Sequence, residues 1–180
     1  TASILARSQG LGTAVADDPM LTARPAGPRV AVRIVLDNRA KLSPVSKLAE
    51  TALQVPLIVA CGPGASKNRH ALAECGCELL VCEGDDRPAR VTWLLGELGR
   101  RHMTNVLVEG GAQVLGSFFD ANLVDEVHVF IAPKIVGGGA APSPIGGRGI
   151  ELITKAIQLM TPTIERVGDD VYIHGRVARE

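Results

Sequence analysis

The stretch Asn105-Val106-Leu107-Val108-Glu109-Gly110-Gly111-Ala112, running on into Gln113-Val114-Leu115-Gly116-Ser117-Phe118-Phe119, leaves the backbone few choices. Four residues of strand character meet a carboxylate and two glycines. Val114, Leu115, Phe118 and Phe119 then fall on one helical face. Glycines at a strand-to-helix turn let the backbone approach a ligand without a Cβ in the way. The first-turn N–H groups have no intrahelical partner, and the helix dipole favours an anion in front of them. Glu109 stands at the carboxyl end of the strand, where open α/β sheets place their ligands. A tight turn between core elements would read the same way from this segment alone.

The rest of the chain supplies the sheet that such a turn needs. Residues 30–36 are rich in β-branched side chains and apolar almost throughout, which implies burial on both faces. Residues 55–61 and 77–83 read as further strands, and residues 44–53, 66–74 and 88–102 as helices. Val91, Leu94, Leu95 and Leu98 share one face of the last helix, with Trp93 as packing. Its basic end, Arg100-Arg101-His102, suits the negative end of a helix dipole. The glycines of Gly62-Pro63-Gly64 lack the spacing of a phosphate loop, so a plain turn with Ser66 as N-cap is expected. Ala16-Asp17-Asp18-Pro19 reads as a turn. After a strand over residues 126–136, residues 137–149 form a glycine-rich mobile loop. Residues 156–165 and 171–177 then close the chain as an antiparallel pair joined near Gly168-Asp169.

One domain over residues 1–180 fits this length, which can bury a sizeable core. Hydrophobic residues make up 46% and charged residues 21%, the balance of a soluble globular chain. The 19 basic and 19 acidic residues cancel, so no global field draws in nucleic acid or an anionic membrane. No apolar run reaches the roughly 20 residues of a membrane span, and no signal peptide is visible, so a cytoplasmic location is expected. The four cysteines, Cys61, Cys75, Cys77 and Cys82, lack paired zinc-knuckle spacing; buried reduced thiols and no metal are expected. No Ser/His/Asp set, G-x-G-x-x-G or zinc-deaminase signature is present, and the four histidines are scattered.

The run from Val108 to Gly138, which includes Leu123-Val124-Asp125-Glu126 and Ile131-Ala132-Pro133-Lys134, resembles the reductase domain of the bifunctional riboflavin-biosynthesis deaminase/reductase. Gly12-Thr13-Ala14-Val15-Ala16-Asp17-Asp18-Pro19-Met20-Leu21-Thr22-Ala23-Arg24 is similar to a second signature of that family, and Arg33-Ile34-Val35-Leu36-Asp37-Asn38 to a third. The resemblance implies a dihydrofolate-reductase-like α/β fold. Its central sheet would be mostly parallel, with helices on both faces and an antiparallel C-terminal edge. It also implies a first strand, a helix and a second strand before Gly12-Thr13; the apolar strand expected between Ser8-Gln9 and Gly12-Thr13 is all but absent from the sequence, so the N-terminal part reads as incomplete.

The implied activity is NADPH-dependent reduction of 5-amino-6-(5-phosphoribosylamino)uracil, its ribosyl group becoming ribityl. Thr13 and Asp17 would touch the nicotinamide side of the cofactor. Asn38, with Arg39, would lie near the adenosine 2′-phosphate, and Gly111, Ala112, Gln113, Val114, Leu115, Gly116 and Ser117 would cradle the pyrophosphate. Leu21, Arg24 and Glu109 would hold substrate, Arg24 through its phosphate, because a planar guanidinium binds phosphate bidentately. The Gly110–Gly111 link would be strained in a way only glycine tolerates. A homodimer without nucleic-acid or membrane partners is expected. A dihydrofolate-reductase-like enzyme with another substrate, or a non-catalytic domain of the same fold, is the competing reading.

Overall fold

The computed structural model describes residues 5–22, 30–65, 67–138, 141 and 143–178, with the backbone alone for residues 5–9 and Thr13. Five strands, β1 (Leu5–Gly10), β2 (Val32–Leu36), β3 (Leu57–Cys61), β4 (Glu78–Val81) and β5 (Asn105–Val108), form one sheet in the order β4-β3-β2-β1-β5. All four pairings are parallel. The chain steps outward from β1 through β2 and β3 to β4, then returns to add β5 on the other side of β1. That reversal is a topological switch point, which opens a crevice outside the carboxyl ends of the two diverging strands.

Alternation along β2 and β3 sorts the core into two layers. Val35, Leu57, Val59 and Cys61 pack with Leu48 and Ala49 of α2 (Lys47–Glu50), Leu72 of α3 (Arg69–Glu74) and Ala14 of α1 (Leu11–Asp17). Ile34, Ile58, Ala60, Leu80 and Cys82 pack on the opposite side with Leu94 and Leu98 of α4 (Arg87–Arg100), and partly buried Trp93 joins them. Helices therefore cover both faces, as expected. Helix α4 begins at an Asp86 N-cap, whose side chain accepts from Ala89 N at 2.8 Å. It ends in Arg100 and Arg101, both paired with Glu97. Among the described residues no helix is long and apolar enough to cross a membrane.

Arg33 is wholly buried on the first of these faces. Its guanidinium donates to Thr51 Oγ1 at 2.8 Å, to the carbonyls of Thr51 and Val55, and to Met20 O at 3.3 Å. Burial lowers its pKa. A buried cation is tolerable only with such partners. Here they fasten the segment at Met20 and Leu21, which enters the core, to the end of α2.

Several expectations need correction. The strand that seemed missing before Gly12-Thr13 is β1, which pairs with β2 and β5 at once. Asp17 is the last residue of α1 and Asp18 its left-handed cap (φ 39°), so Ala16 and Asp17 are helix rather than turn. Asn68 stands at the N-cap position of α3; Ser66, the expected cap, lies outside the described residues. β6 (Glu126–Ile131) stops well short of Val136, because Pro133 has no N–H to extend a ladder. The glycine-rich segment is not loose throughout, since Gly146 N donates to Ala112 O at 2.8 Å and Arg148 N to Asp120 Oδ2 at 2.9 Å. Gly146 and Gly147 lie against Gly116, where a Cβ would overlap their backbone.

The C-terminal strands are antiparallel as expected, with β7 (Leu159–Val167) and β8 (Asp170–Val177) turning through Gly168 at φ 63°. They do not edge the parallel sheet. With β6 they make a three-stranded sheet of their own, ordered β6-β8-β7. The register of β7 shifts between Met160 and Thr163, where Pro162 again has no N–H to give.

Candidate functional site

A cavity of about 650 Å³ lies at the carboxyl ends of the parallel strands. Gly10, Leu11 and Gly12 reach it from β1, Leu36 to Arg39 and Lys41 from β2, Ala60 to Gly62 from β3, and Cys82 from just beyond β4. Gly111 to Val114 and Ser117 close it from α5 (Ala112–Asp120), and α4 contributes Arg87, Arg90, Val91 and Leu94. The two sides of the switch point meet where Gly10 N donates to Gly110 O at 3.3 Å.

Gly111 sits at φ 84°, ψ 104°, a backbone region that suits glycine and strains any residue with a Cβ. It turns the chain from β5 into α5, and its carbonyl accepts from Val114 N and Leu115 N. The Ala112 and Gln113 amides of the first turn are left without intrahelical partners. The positive end of the helix is thus presented to the cavity.

The charge lining the cavity is one-sided. Arg39, Lys41, Arg87 and Arg90 are there, with Asp37 as the one carboxylate among the lining residues. Asp37 is buried and spent on backbone, accepting from Leu42 N at 2.7 Å and Arg39 N at 3.3 Å. It folds the turn that carries Asn38, Arg39 and Lys41. Arg90 reaches across the cavity to Asn38 Oδ1 at 2.9 Å, while its Nε holds Gly84 O at 3.0 Å. Arg87 donates to Gln113 Oε1 at 2.7 Å and so ties α4 to α5. Fixed cations beside a helix N-terminus suit a phosphate-bearing ligand.

Cys61 and Cys82 line the same cavity as buried neutral groups. Burial, reinforced by neighbouring Cys61, pushes the Cys82 thiol up to about 11, and burial raises Cys61 as well. Burial likewise lifts Cys77, in the core, to about 11. Thiols so desolvated react slowly. A disulfide reagent is expected to modify half-buried Cys75 first and the other three only on unfolding; rapid modification of more than one thiol in the native protein would contradict this. Stability should also fall as pH rises from 9.0 to about 11, because unfolded thiols release protons there while native Cys77 and Cys82 retain theirs. The expected loss is on the order of 2 kcal/mol per thiol, and a denaturation midpoint flat across that window would contradict it.

Of the residues expected at the site, Asn38, Gly111, Ala112, Gln113, Val114 and Ser117 line the cavity. Leu115 and Gly116 do not; Gly116 packs on Gly146 and Gly147 instead. Leu21 is a core residue at φ 51°, and Asp17 is exposed at the end of α1. Glu109 is exposed just after β5 and is not part of the cavity lining. The Thr13 side chain and all of Arg24 lie outside the described residues. Lys41, Arg87 and Arg90 were not anticipated. The signal for the last two was there: Asp86-Arg87-Pro88 marks a helix start, and Arg87 and Arg90, spaced i and i+3, share a face at that start.

Parallel strands, a switch-point crevice and helices on both faces, followed by an antiparallel set, define an α/β protein of the dihydrofolate-reductase-like class. The chain belongs, more narrowly, to the RibD C-terminal domain family, whose model matches residues 1–173. It is 32% identical over 164 residues to the riboflavin biosynthesis protein RibD of Actinobacillus pleuropneumoniae, covering 91% of this chain and 44% of that protein. It is 30% identical over 167 residues to the 2,5-diamino-6-ribosylamino-4(3H)-pyrimidinone 5′-phosphate reductase of Methanothermobacter thermautotrophicus, covering 91% of this chain and 76% of that protein. The solved deaminase/5-amino-6-(5-phosphoribosylamino)uracil reductase of Thermotoga maritima superposes with a TM-score of 0.73 at 26% identity, over 96% of this chain and 45% of that one. The chain thus spans less than half the length of the RibD protein and of the Thermotoga chain.

Proposed function

We propose that the chain is an NADPH-dependent reductase of riboflavin biosynthesis, converting the ribosyl group of 5-amino-6-(5-phosphoribosylamino)uracil to ribityl. The observation that carries the reading is the crevice of Gly111, Arg39, Lys41, Arg87 and Arg90 at the switch point, in a chain of the RibD C-terminal domain family. The first-turn amides of α5 would hold the pyrophosphate, and Asn38, Arg39 and Arg90 the 2′-phosphate. Thr13 and Asp17 would border the nicotinamide, which when bound supplies the hydride for the anomeric carbon. The residues of this chain position two ligands against each other, and that alone accounts for much of such a rate. Arg24 would meet the substrate at its phosphate, with Glu109 accepting from its hydroxyls, while Leu21 serves the core beneath.

A second reading differs in substrate. The Methanothermobacter relative is named for the 2,5-diamino pyrimidinone, the compound that still carries its amino group. Following loss of reduced-nicotinamide absorbance with each pyrimidine separates the two, and turnover of neither sinks both. Glu109→Gln should leave NADPH binding within about twofold and lower kcat/KM by roughly 10- to 100-fold, the effect of weakening charge-assisted hydrogen bonds. Unchanged turnover would remove Glu109 from the site.

In this reading the chain works as a homodimer. Val129, Ile131, Ile164 and Val171 are exposed on one face of the β6-β8-β7 sheet, a surface that a second copy would cover. Light scattering on the eluting protein distinguishes dimer from monomer.

A further inference from the structure

The opposite face of the β6-β8-β7 sheet brings together two histidines that stand far apart in the sequence. On β6, Glu126 and His128 are two residues apart and so point the same way. The β6–β8 register sets His174 directly across from His128, and Tyr172 across from Phe130. Glu126 Oε1 lies 2.6 Å from His174 Nε2 and 3.1 Å from His128 Nε2. The two imidazoles stack at 4.5 Å with 11° between their planes. One ligand atom from each of the three residues falls within 4.8 Å of the others.

We propose that Glu126, His128 and His174 form a surface site for a divalent first-row transition ion, zinc foremost, bridging β6 and β8. Two imidazole nitrogens and one carboxylate oxygen are a donor set that such ions prefer and that magnesium or calcium does not. A tetrahedral ion with bonds of about 2.0–2.1 Å separates its ligand atoms by about 3.3 Å. The His128–Glu126 distance already matches, the His174–Glu126 pair need open by less than an ångström, and the two stacked imidazoles must turn out of parallel so that both ring planes meet at the ion. Tyr172 supplies an independent sign. Its hydroxyl lies 2.7 Å from His128 Nδ1, the ring nitrogen remote from Glu126. A metal on Nε2 leaves the proton on Nδ1, which then donates to the Tyr172 oxygen, the outer-shell arrangement that orients metal-bound histidines. Three protein ligands leave a fourth position for water. No cysteine takes part, and no residue is shared with the crevice, so the inference does not depend on the reductase reading.

The test is a calorimetric titration of chelator-treated protein with zinc, paired with the visible spectrum of the cobalt form. One zinc per chain is expected, binding in the micromolar range. Cobalt should show nitrogen and oxygen ligation without a thiolate charge-transfer band. His128→Ala and His174→Ala should each abolish binding. Tyr172→Phe, which only positions His128, should weaken it by about tenfold, and Cys75→Ser should leave it unchanged. No zinc binding by the native protein overturns the proposal. So does a thiolate band in the cobalt spectrum, which is read on the unaltered chain and therefore stands even where a variant misfolds. Binding retained in both histidine variants overturns it equally.

Discussion

Gly111→Ala is expected to weaken NADPH binding by about 10- to 100-fold, because an alanine cannot hold φ 84° there without strain of about 1–3 kcal/mol. The strain can be relieved in only one direction. Gly111 starts α5, and its carbonyl accepts from Val114 N and Leu115 N, so relaxing its dihedrals rotates the first turn away from the cavity. The amides proposed to meet the pyrophosphate move with it. The sheet itself should survive, since β5 pairs with β1 through residues 105–108, before the glycine. Fluorescence titration with NADPH, alongside far-ultraviolet dichroism to show an intact fold, measures the effect. A variant that folds and binds like the unaltered chain would move the pyrophosphate site elsewhere.

Arg90→Ala should raise the dissociation constant for NADPH by about 10- to 100-fold and that for NADH far less, as expected for loss of a charge-assisted phosphate contact of roughly 1.5–3 kcal/mol. Two effects add. The cation facing the 2′-phosphate is lost, and Asn38 loses the partner that holds it at 2.9 Å across the cavity. Arg90→Lys keeps the charge but not the planar fork that spans Gly84 O and Asn38 Oδ1, so it should fall between the two. Arg39→Ala should show the same preference for losing NADPH over NADH. Equal weakening of both cofactors by Arg90→Ala would mean that Arg90 is a tether and not a phosphate ligand.

Elements that carry their own periodicity are legible in the sequence. β3 is apolar throughout and β2 is so except for Arg33, and α4 shows Val91, Leu94 and Leu98 on one face, all of them buried. β1 was not legible, because Arg7, Ser8 and Gln9 lack strand character of their own. Their extended backbone comes from hydrogen bonding to β2 on one side and β5 on the other, and such tertiary pairing overrides local propensity. The C-terminal pairing was evident, but not the separation of those strands into a second sheet, since alternation shows which face a residue takes and not which neighbour it meets.

At the site, the glycine pair and helix start were legible as backbone chemistry. Leu115 and Gly116 were carried along by contiguity, although a turn of 3.6 residues that points Gln113, Val114 and Ser117 at the cavity points these two away. Arg87 and Arg90 became visible only once α4 was placed beside the carboxyl end of β4. Likewise, nothing local joins His128 to His174; only the β6–β8 register does.

The placement of β1 also shapes how the chain can assemble. β2, β3 and β4 are successive in sequence and can pair as each is completed. The register of Leu5 with Asn105, by contrast, closes a loop of a hundred residues. Contacts of such long range form late and slowly, because the entropy of closure must be met before any pairing rewards it. The crevice spans that joint, so it exists only once this distant pairing is made. A cofactor bound there would hold the two ends of the loop together, opposing the reopening of the β1–β5 seam more than any other local unfolding of the sheet. Amide exchange along β5 should therefore slow on cofactor addition more than exchange along β3.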